Sequence, residues 1–283
     1  MRVDDLPEMC YICSVELFKI KRMEDSCKTY IRSFSLQGLW GHKNVEWLNV
    51  NPDVNVLVGI NGSGKTTLMD IMYAYYTNDA KELRKYKYLE IQGVPLNTET
   101  YPLVYLRTFD TPIADKRKSE SPLMQELNNV VFQNKEGISF FNYRMKMLDF
   151  HDKANEIQKN IDELFCIINE LFHDTGKTIS ISKGNNSALI FHQAGDVLHL
   201  EQLSSGEKQL LLILLKVFLL DKKPAIIFMD EPEISLHIRW QREIIDRMRQ
   251  INPFCQIIIA THSPSMFGTG WGDKVVYMED IIK

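Results

Sequence analysis

An α/β protein with a mostly parallel central sheet is the fold expected of this 283-residue chain, and three features carry that expectation. A glycine-rich loop sits between a short apolar run and a helical one. Two later apolar runs, 225–229 and 256–260, end on polar residues fit for chemistry, Asp230-Glu231 and Thr261-His262. Stretches of helical period separate these runs, the arrangement that joins parallel strands by crossover helices.

Taken in order, strands are expected at 31–36, 45–50 and 54–60, divided by Gly38, Gly41 and the Asn51-Pro52-Asp53 turn, an antiparallel β-rich entry to the glycine loop. A helix follows at 68–76, a second charged helical stretch at 79–86, and strands at 89–94 and 103–106. A loop then opens with Arg107-Thr108-Phe109-Asp110. From Lys118 to Thr175 the helical period dominates. Phe150, Ala154, Ile157, Ile161, Leu164, Ile168 and Leu171 alternate steps of four and three and align in one seam. Such a seam serves either a partner helix or the chain's own core, and its short length favours the core.

Alternating residues predict a hairpin, 178–182 and 188–192 around Gly184-Asn185-Asn186, with a further strand at 197–200. The run 210–220 is almost wholly apolar, exceeds strand length and has few β-branched residues, so it reads as a buried helix. Strand 225–229, helix 236–250 and strand 256–260 complete the pattern.

Composition fits a globular protein, at 45% hydrophobic and 25% charged residues, and no apolar run is long enough to span a bilayer. No membrane segment is expected. The acidic start, Met1-Arg2-Val3-Asp4-Asp5, lacks a signal-peptide core, which points to the cytoplasm and to cysteines kept as thiols. Cys10 and Cys13, with Cys27 nearby, offer half a zinc site; without a second pair, ordinary thiols are expected. With 33 basic and 37 acidic residues the net charge is -4, so any contact with DNA or RNA must come from a local patch.

Gly59-Ile60-Asn61-Gly62-Ser63-Gly64-Lys65-Thr66-Thr67 carries the chemistry. Its glycines let successive backbone N–H groups turn toward an anion at a helix start. Lys65 reaches terminal phosphates and the Thr66 hydroxyl reaches Mg²⁺. ATP with Mg²⁺ is therefore the expected ligand. Asp230, at a strand end, is placed to hold the metal, and Glu231 to act as general base on the attacking water. His262, ending another core strand, is placed to donate to a γ-phosphate oxygen.

With Leu203-Ser204-Ser205-Gly206-Glu207, these motifs resemble the Walker A, signature, Walker B with D-loop, and switch histidine of ABC-type ATPase heads. The wording Asp230-Glu231-Pro232-Glu233-Ile234-Ser235-Leu236-His237 and Thr261-His262-Ser263-Pro264 is similar to the RecF, SMC and OLD-like group, most of all to PtuA-like ATPases of Septu and retron anti-phage systems. The resemblance implies one P-loop NTPase head over 1–283, with an extension at 1–30, a β-region and Walker A at 31–78, a helical insertion at 112–176 and a signature, Walker B and switch-histidine lobe at 177–283. It also implies that Ser204, Ser205, Gly206 and Glu207 close on ATP held by a second copy. A homodimer through ATP would follow, hydrolysing ATP and gating an effector protein, a nuclease or toxin.

Three departures stand out. The loop after strand 103–106 lacks the glutamine usual there, and Asp110 is the candidate to take its place at Mg²⁺, an ordinary turn aspartate being the alternative. OLD-type proteins append a TOPRIM nuclease after the switch histidine; none is expected in the few residues after His262. The insertion is too short for the coiled-coil arms of SMC proteins. A rival reading is a repair ATPase clamping DNA directly through Lys81, Arg84, Lys85, Lys87, Tyr86, Tyr88 and Lys116-Arg117-Lys118. Trp40, His42 and Lys43 are candidates to flank the adenine or its phosphates.

Overall fold

The computed structural model describes residues 30–86, 90–93, 101–107, 120–132, 139–182 and 189–283. In chain order the elements are β1 (Phe34–Leu39), β2 (Lys43–Trp47), β3 (Val54–Val58), α1 (Lys65–Tyr76), α2 (Ala80–Leu83), β4 (Glu90–Gly93) and β5 (Leu103–Leu106). Three helices follow, α3 (Pro122–Val131), α4 (Phe140–Asp149) and α5 (Ala154–Leu171), then β6 (Thr178–Ile181), β7 (Leu189–Gln193) and β8 (Asp196–Leu198). The last part holds α6 (Ser205–Phe218), β9 (Ala225–Asp230), α7 (Ile238–Ile251), β10 (Cys255–Thr261), β11 (Val275–Tyr277) and α8 (Met278–Ile281).

Five strands form a parallel sheet in the order β11-β3-β10-β9-β5. Its two faces are both covered. Ile226, Phe228, Ile258 and Ala260 pack with α1 and the β1–β2 ribbon, while Ile227, Met229, Ile257 and Ile259 pack with the helices on the other side. Burial on both faces is why β9 and β10 are unbroken apolar runs without a two-residue alternation. The register sets Asp230 opposite Ala260 and Val58 opposite Thr261, so β3, β9 and β10 end level. Their following loops therefore share one edge, where ligands of open α/β sheets bind.

The entry region is antiparallel, in the order β2-β1-β4, and a third antiparallel sheet joins β6, β7 and β8. β1 starts at Phe34, later than expected from residue 31. The backbone N–H and C=O of Ile31 are bonded instead by the buried side chain of Gln256, which also donates to Asn51 O. β2 likewise spans Lys43–Trp47, earlier than the expected 45–50, because its register is set by pairing with β1. β11 was not expected; three residues are too few to show a period. The helical stretch expected at 79–86 shrinks to the four residues of α2, capped by the Asp79 side chain.

The seam belongs to the core. Ile157, Ile161, Leu164, Ile168 and Leu171 of α5 are buried within the main cluster, joined by Ile167. Phe150 departs from it: the backbone breaks helix there, and the ring is 52% exposed. The turn expected at 184–186, the pairs around Cys10, Cys13 and Cys27, and Asp110, Lys87, Tyr88 and Lys116–Lys118 lie outside the described residues.

Candidate active site

The glycine loop runs from the end of β3 into α1. Gly62 and Gly64 take left-handed conformations, φ 79° and 100°, which glycine adopts without penalty. A Cβ on Gly64 would also collide with the Trp40 ring. No side chain caps the start of α1. Its first backbone N–H groups are thus left to an outside acceptor, and the helix dipole favours an anion there. The Ser63 hydroxyl is buried among them without a hydrogen-bond partner, a further group suited to an acceptor.

Lys65 is buried at the centre of this loop. Its Nζ donates to Gly59 O at 2.9 Å and Ile60 O at 3.3 Å, and lies 2.7 Å from His262 Nε2. Burial lowers its proton affinity, while Glu231, Asp230 and Glu233 act in the other direction. The Thr66 hydroxyl donates to Asp230 Oδ1 at 3.1 Å, so two hard oxygens meet beside the loop. Burial raises the pKa of Asp230, and nearby Glu231 and Asp70 add to the rise.

Glu231 adopts φ 45°, a left-handed conformation unusual for its type, and its Oε1 lies 3.3 Å from His262 Nε2. The Glu231 N–H donates to Ala260 O at 2.8 Å, tying the loop after β9 to β10. A cleft of about 220 Å³ is lined by Trp40, Asn61, Gly62, Gly64, Lys65, Thr66, Thr67, Glu231 and His262. That volume suits a phosphate chain better than a whole nucleotide.

Ser204 to Glu207 are placed differently and do not line the cleft. Ser204 and Ser205 are exposed. Gly206 is buried under the Ser235 carbonyl, where a Cβ would overlap that oxygen. Glu207 is 2% exposed and locked in a capping box with Ser204. His42 and Lys43 stay out of the cleft lining too, Lys43 resting its ammonium 5.1 Å from the Trp40 ring centre.

Several groups were not singled out from sequence as site residues. Glu233 Oε1 accepts the His262 N–H at 2.7 Å, and Gln241 accepts from the Ser263 hydroxyl at 2.7 Å, so α7 and the loop before it brace the histidine loop. Arg107, at the end of β5, pairs with Asp70 of α1 at 3.0 Å and stacks its guanidinium 4.7 Å from the Tyr105 ring centre. For Glu233 the third acid of Asp230-Glu231-Pro232-Glu233 is a visible signal; for Asp70 and Arg107 none is local. Among the described residues there is no cluster of three or more His, Cys, Asp or Glu side chains that would hold a metal by themselves. The oxygens of Thr66 and Asp230 nevertheless fit Mg²⁺, which binds protein through one or two groups and completes its shell with phosphates and water.

A family model described as "AAA domain, putative AbiEii toxin, Type IV TA system" matches residues 101–267, more than half of the chain. The chain belongs to this family. The matched stretch of the AAA domain includes Ser204 to Glu207, Asp230, Glu231 and His262. The chain is also 23% identical over 297 residues to the Septu protein PtuA of Bacillus thuringiensis, covering 83% of this chain and 72% of that relative. It is 24% identical over 149 residues to the "Retron Vc95 probable ATPase" of Vibrio cholerae serotype O1 biovar El Tor, covering 46% of this chain and 29% of that one. Among solved structures it superposes on an SMC head bound to the C-winged helix domain of ScpA with TM-score 0.53 and 16% identity, over 85% of this chain and 92% of that one. That likeness concerns the fold. The protein is an AAA-family ATPase that is similar to PtuA and has an SMC-head-like architecture. No helix among the described residues is long and apolar enough to cross a membrane.

Proposed function

We propose that this chain binds and hydrolyses Mg²⁺-ATP in a head-to-tail homodimer and that the ATP cycle gates a partner effector, a nuclease or toxin, in anti-phage defence. The observation that carries the chemical part is the meeting of Lys65, Thr66, Asp230, Glu231 and His262 at one edge of the sheet. The defence setting is supported by the names of the PtuA and retron relatives.

On this reading Lys65 exchanges His262 Nε2 for the terminal phosphate. His262, so released, donates to a γ-phosphate oxygen while Glu231 accepts a proton from the attacking water. Thr66 and Asp230 would hold Mg²⁺, which would supply positive charge to a bound triphosphate. The exposed Ser204 and Ser205, which are not among their own chain's cleft lining, are the groups that complete the site of a second copy.

Sizing chromatography with and without Mg²⁺-ATP tests the reading. Glu231→Gln is expected to trap ATP and run as a dimer, and Lys65→Ala to lose nucleotide binding. A Glu231→Gln protein that holds ATP yet stays monomeric would sink the composite site. Effector gating is tested separately by purifying the protein with its neighbouring gene products; no co-purifying protein would count against it.

The clamp on DNA is the second reading, favoured by the exposed Lys81, Arg84 and Lys85 on and beside α2. Lys85 is already paired with Glu82 at 2.6 Å. Filter binding over a salt series would reveal it as ATP-dependent affinity falling steeply with salt.

A further inference from the structure

An ion pair lies beneath the exposed serine corner. Lys177, in the link between α5 and β6, places Nζ 2.7 Å from Glu207 Oε1, with the two side chains 13% and 2% exposed. Glu207 Oε2 accepts the Ser204 N–H at 2.8 Å, and Ser204 Oγ accepts the Glu207 N–H at 3.2 Å. Both carboxylate oxygens are therefore engaged inside the chain. The Ser204 hydroxyl, in turn, commits a lone pair to the cap and keeps its proton free to donate outward.

This arrangement has an electrostatic cost and a remedy. A carboxylate in the first turn of α6 completes the cap, but it also sets a full negative charge at the helix end that must approach a triphosphate. Like charges so close, in a water-poor interface, repel strongly. The Lys177 ammonium cancels that charge, leaving the backbone N–H groups and the helix dipole to face the anion.

We infer that Lys177 is a positioning residue of the composite ATP site: by holding and neutralising Glu207, it allows the corner from Ser204 to Gly206 to close on the γ-phosphate bound to a second copy. The inference rests on the dimer reading above. Lys177, nearly buried, acts through Glu207 and does not itself touch nucleotide.

The test follows dimerisation of Glu231→Gln protein in Mg²⁺-ATP by sedimentation over a concentration series. Adding Lys177→Met is expected to weaken the dimer roughly tenfold while each monomer binds ATP as before. Lys177→Arg is expected to restore it. Glu207→Gln keeps an acceptor for the Ser204 N–H and removes the charge, so it should dimerise at least as well as the parent and should rescue Lys177→Met in the double variant. A pair that merely braces the fold predicts the reverse, with Glu207→Gln weakened and no rescue; that result, or a Lys177→Met protein that dimerises normally, overturns the inference. If Lys177→Met does not fold, the comparison of Glu207→Gln with its parent decides alone. A parent that never dimerises removes the composite site itself, and this inference with it, whereas a dimerising parent with an indifferent Lys177 removes the inference alone.

Discussion

Lys65 Nζ lies 2.7 Å from His262 Nε2, although 197 residues separate them in the chain. An ammonium has only donors, so Nε2 accepts and the ring proton in this arrangement sits on Nδ1. The same Nε2 is 3.3 Å from Glu231 Oε1, a contact it can serve only as a donor. The two relationships are alternatives, and an arriving phosphate that draws Lys65 away permits the second. His262→Ala should therefore keep ATP affinity within about threefold, since Lys65 retains its loop carbonyls, and lose about 10²–10³ in kcat. Lost affinity with an intact kcat would take His262 out of the phosphate chemistry.

Asp230 is held in strained company. Burial, Glu231 and Asp70 raise its pKa, so its contribution to stability is greatest when protonated and is lost as pH rises through the folded-state value. At neutral pH the nucleotide-free protein carries that penalty. Asp230→Asn, which can still accept the Thr66 hydroxyl, should melt roughly 2 °C higher without nucleotide and flatten the loss of stability across the carboxylate range. The same variant should lose Mg²⁺-dependent ATP hydrolysis. Calorimetry across pH checks the first part, and an unchanged or lower melting temperature would refute it.

Gly206 is closed off by its own chain. A methyl group there overlaps the Ser235 carbonyl oxygen, so the loop after β9 or the start of α6 must shift. Gly206→Ala is expected to cost about 1–3 kcal/mol in urea unfolding. Equal stability would mean that the two loops do not press together in solution.

Glu233 fixes the backbone of the histidine loop through the His262 N–H. Gln can accept that bond and Ala cannot. Glu233→Gln should keep kcat within about threefold, and Glu233→Ala should lose about tenfold with KM for ATP unchanged, the scale of one hydrogen bond. Equal losses in both variants would assign the effect to charge and not to the bond.

Much of this site was legible before any coordinates. A phosphate loop is a local object: its glycines, lysine and threonine must be consecutive because consecutive N–H groups do the binding. The strands 225–229 and 256–260 were legible because both sheet faces are buried there, and α5 because one of its faces is. β1 begins at Phe34 and not at 31 because the side chain of Gln256, 225 residues from Ile31, takes the backbone bonds that would extend it, and β2 takes its limits from pairing with β1.

What the chain's text determined, then, is the set of reactive groups and the elements that carry them, since periodicity and motif spacing report on near neighbours. What the tertiary structure decided is who faces whom: His262 on Lys65, Glu233 under the histidine loop, Lys177 on Glu207, and the Ser235 carbonyl over Gly206. The pairings around His262 follow from the strand order β11-β3-β10-β9-β5 and its register, which bring distant loops to one edge, and that of Lys177 with Glu207 from the packing of the start of β6 against α6; no short stretch of sequence encodes either.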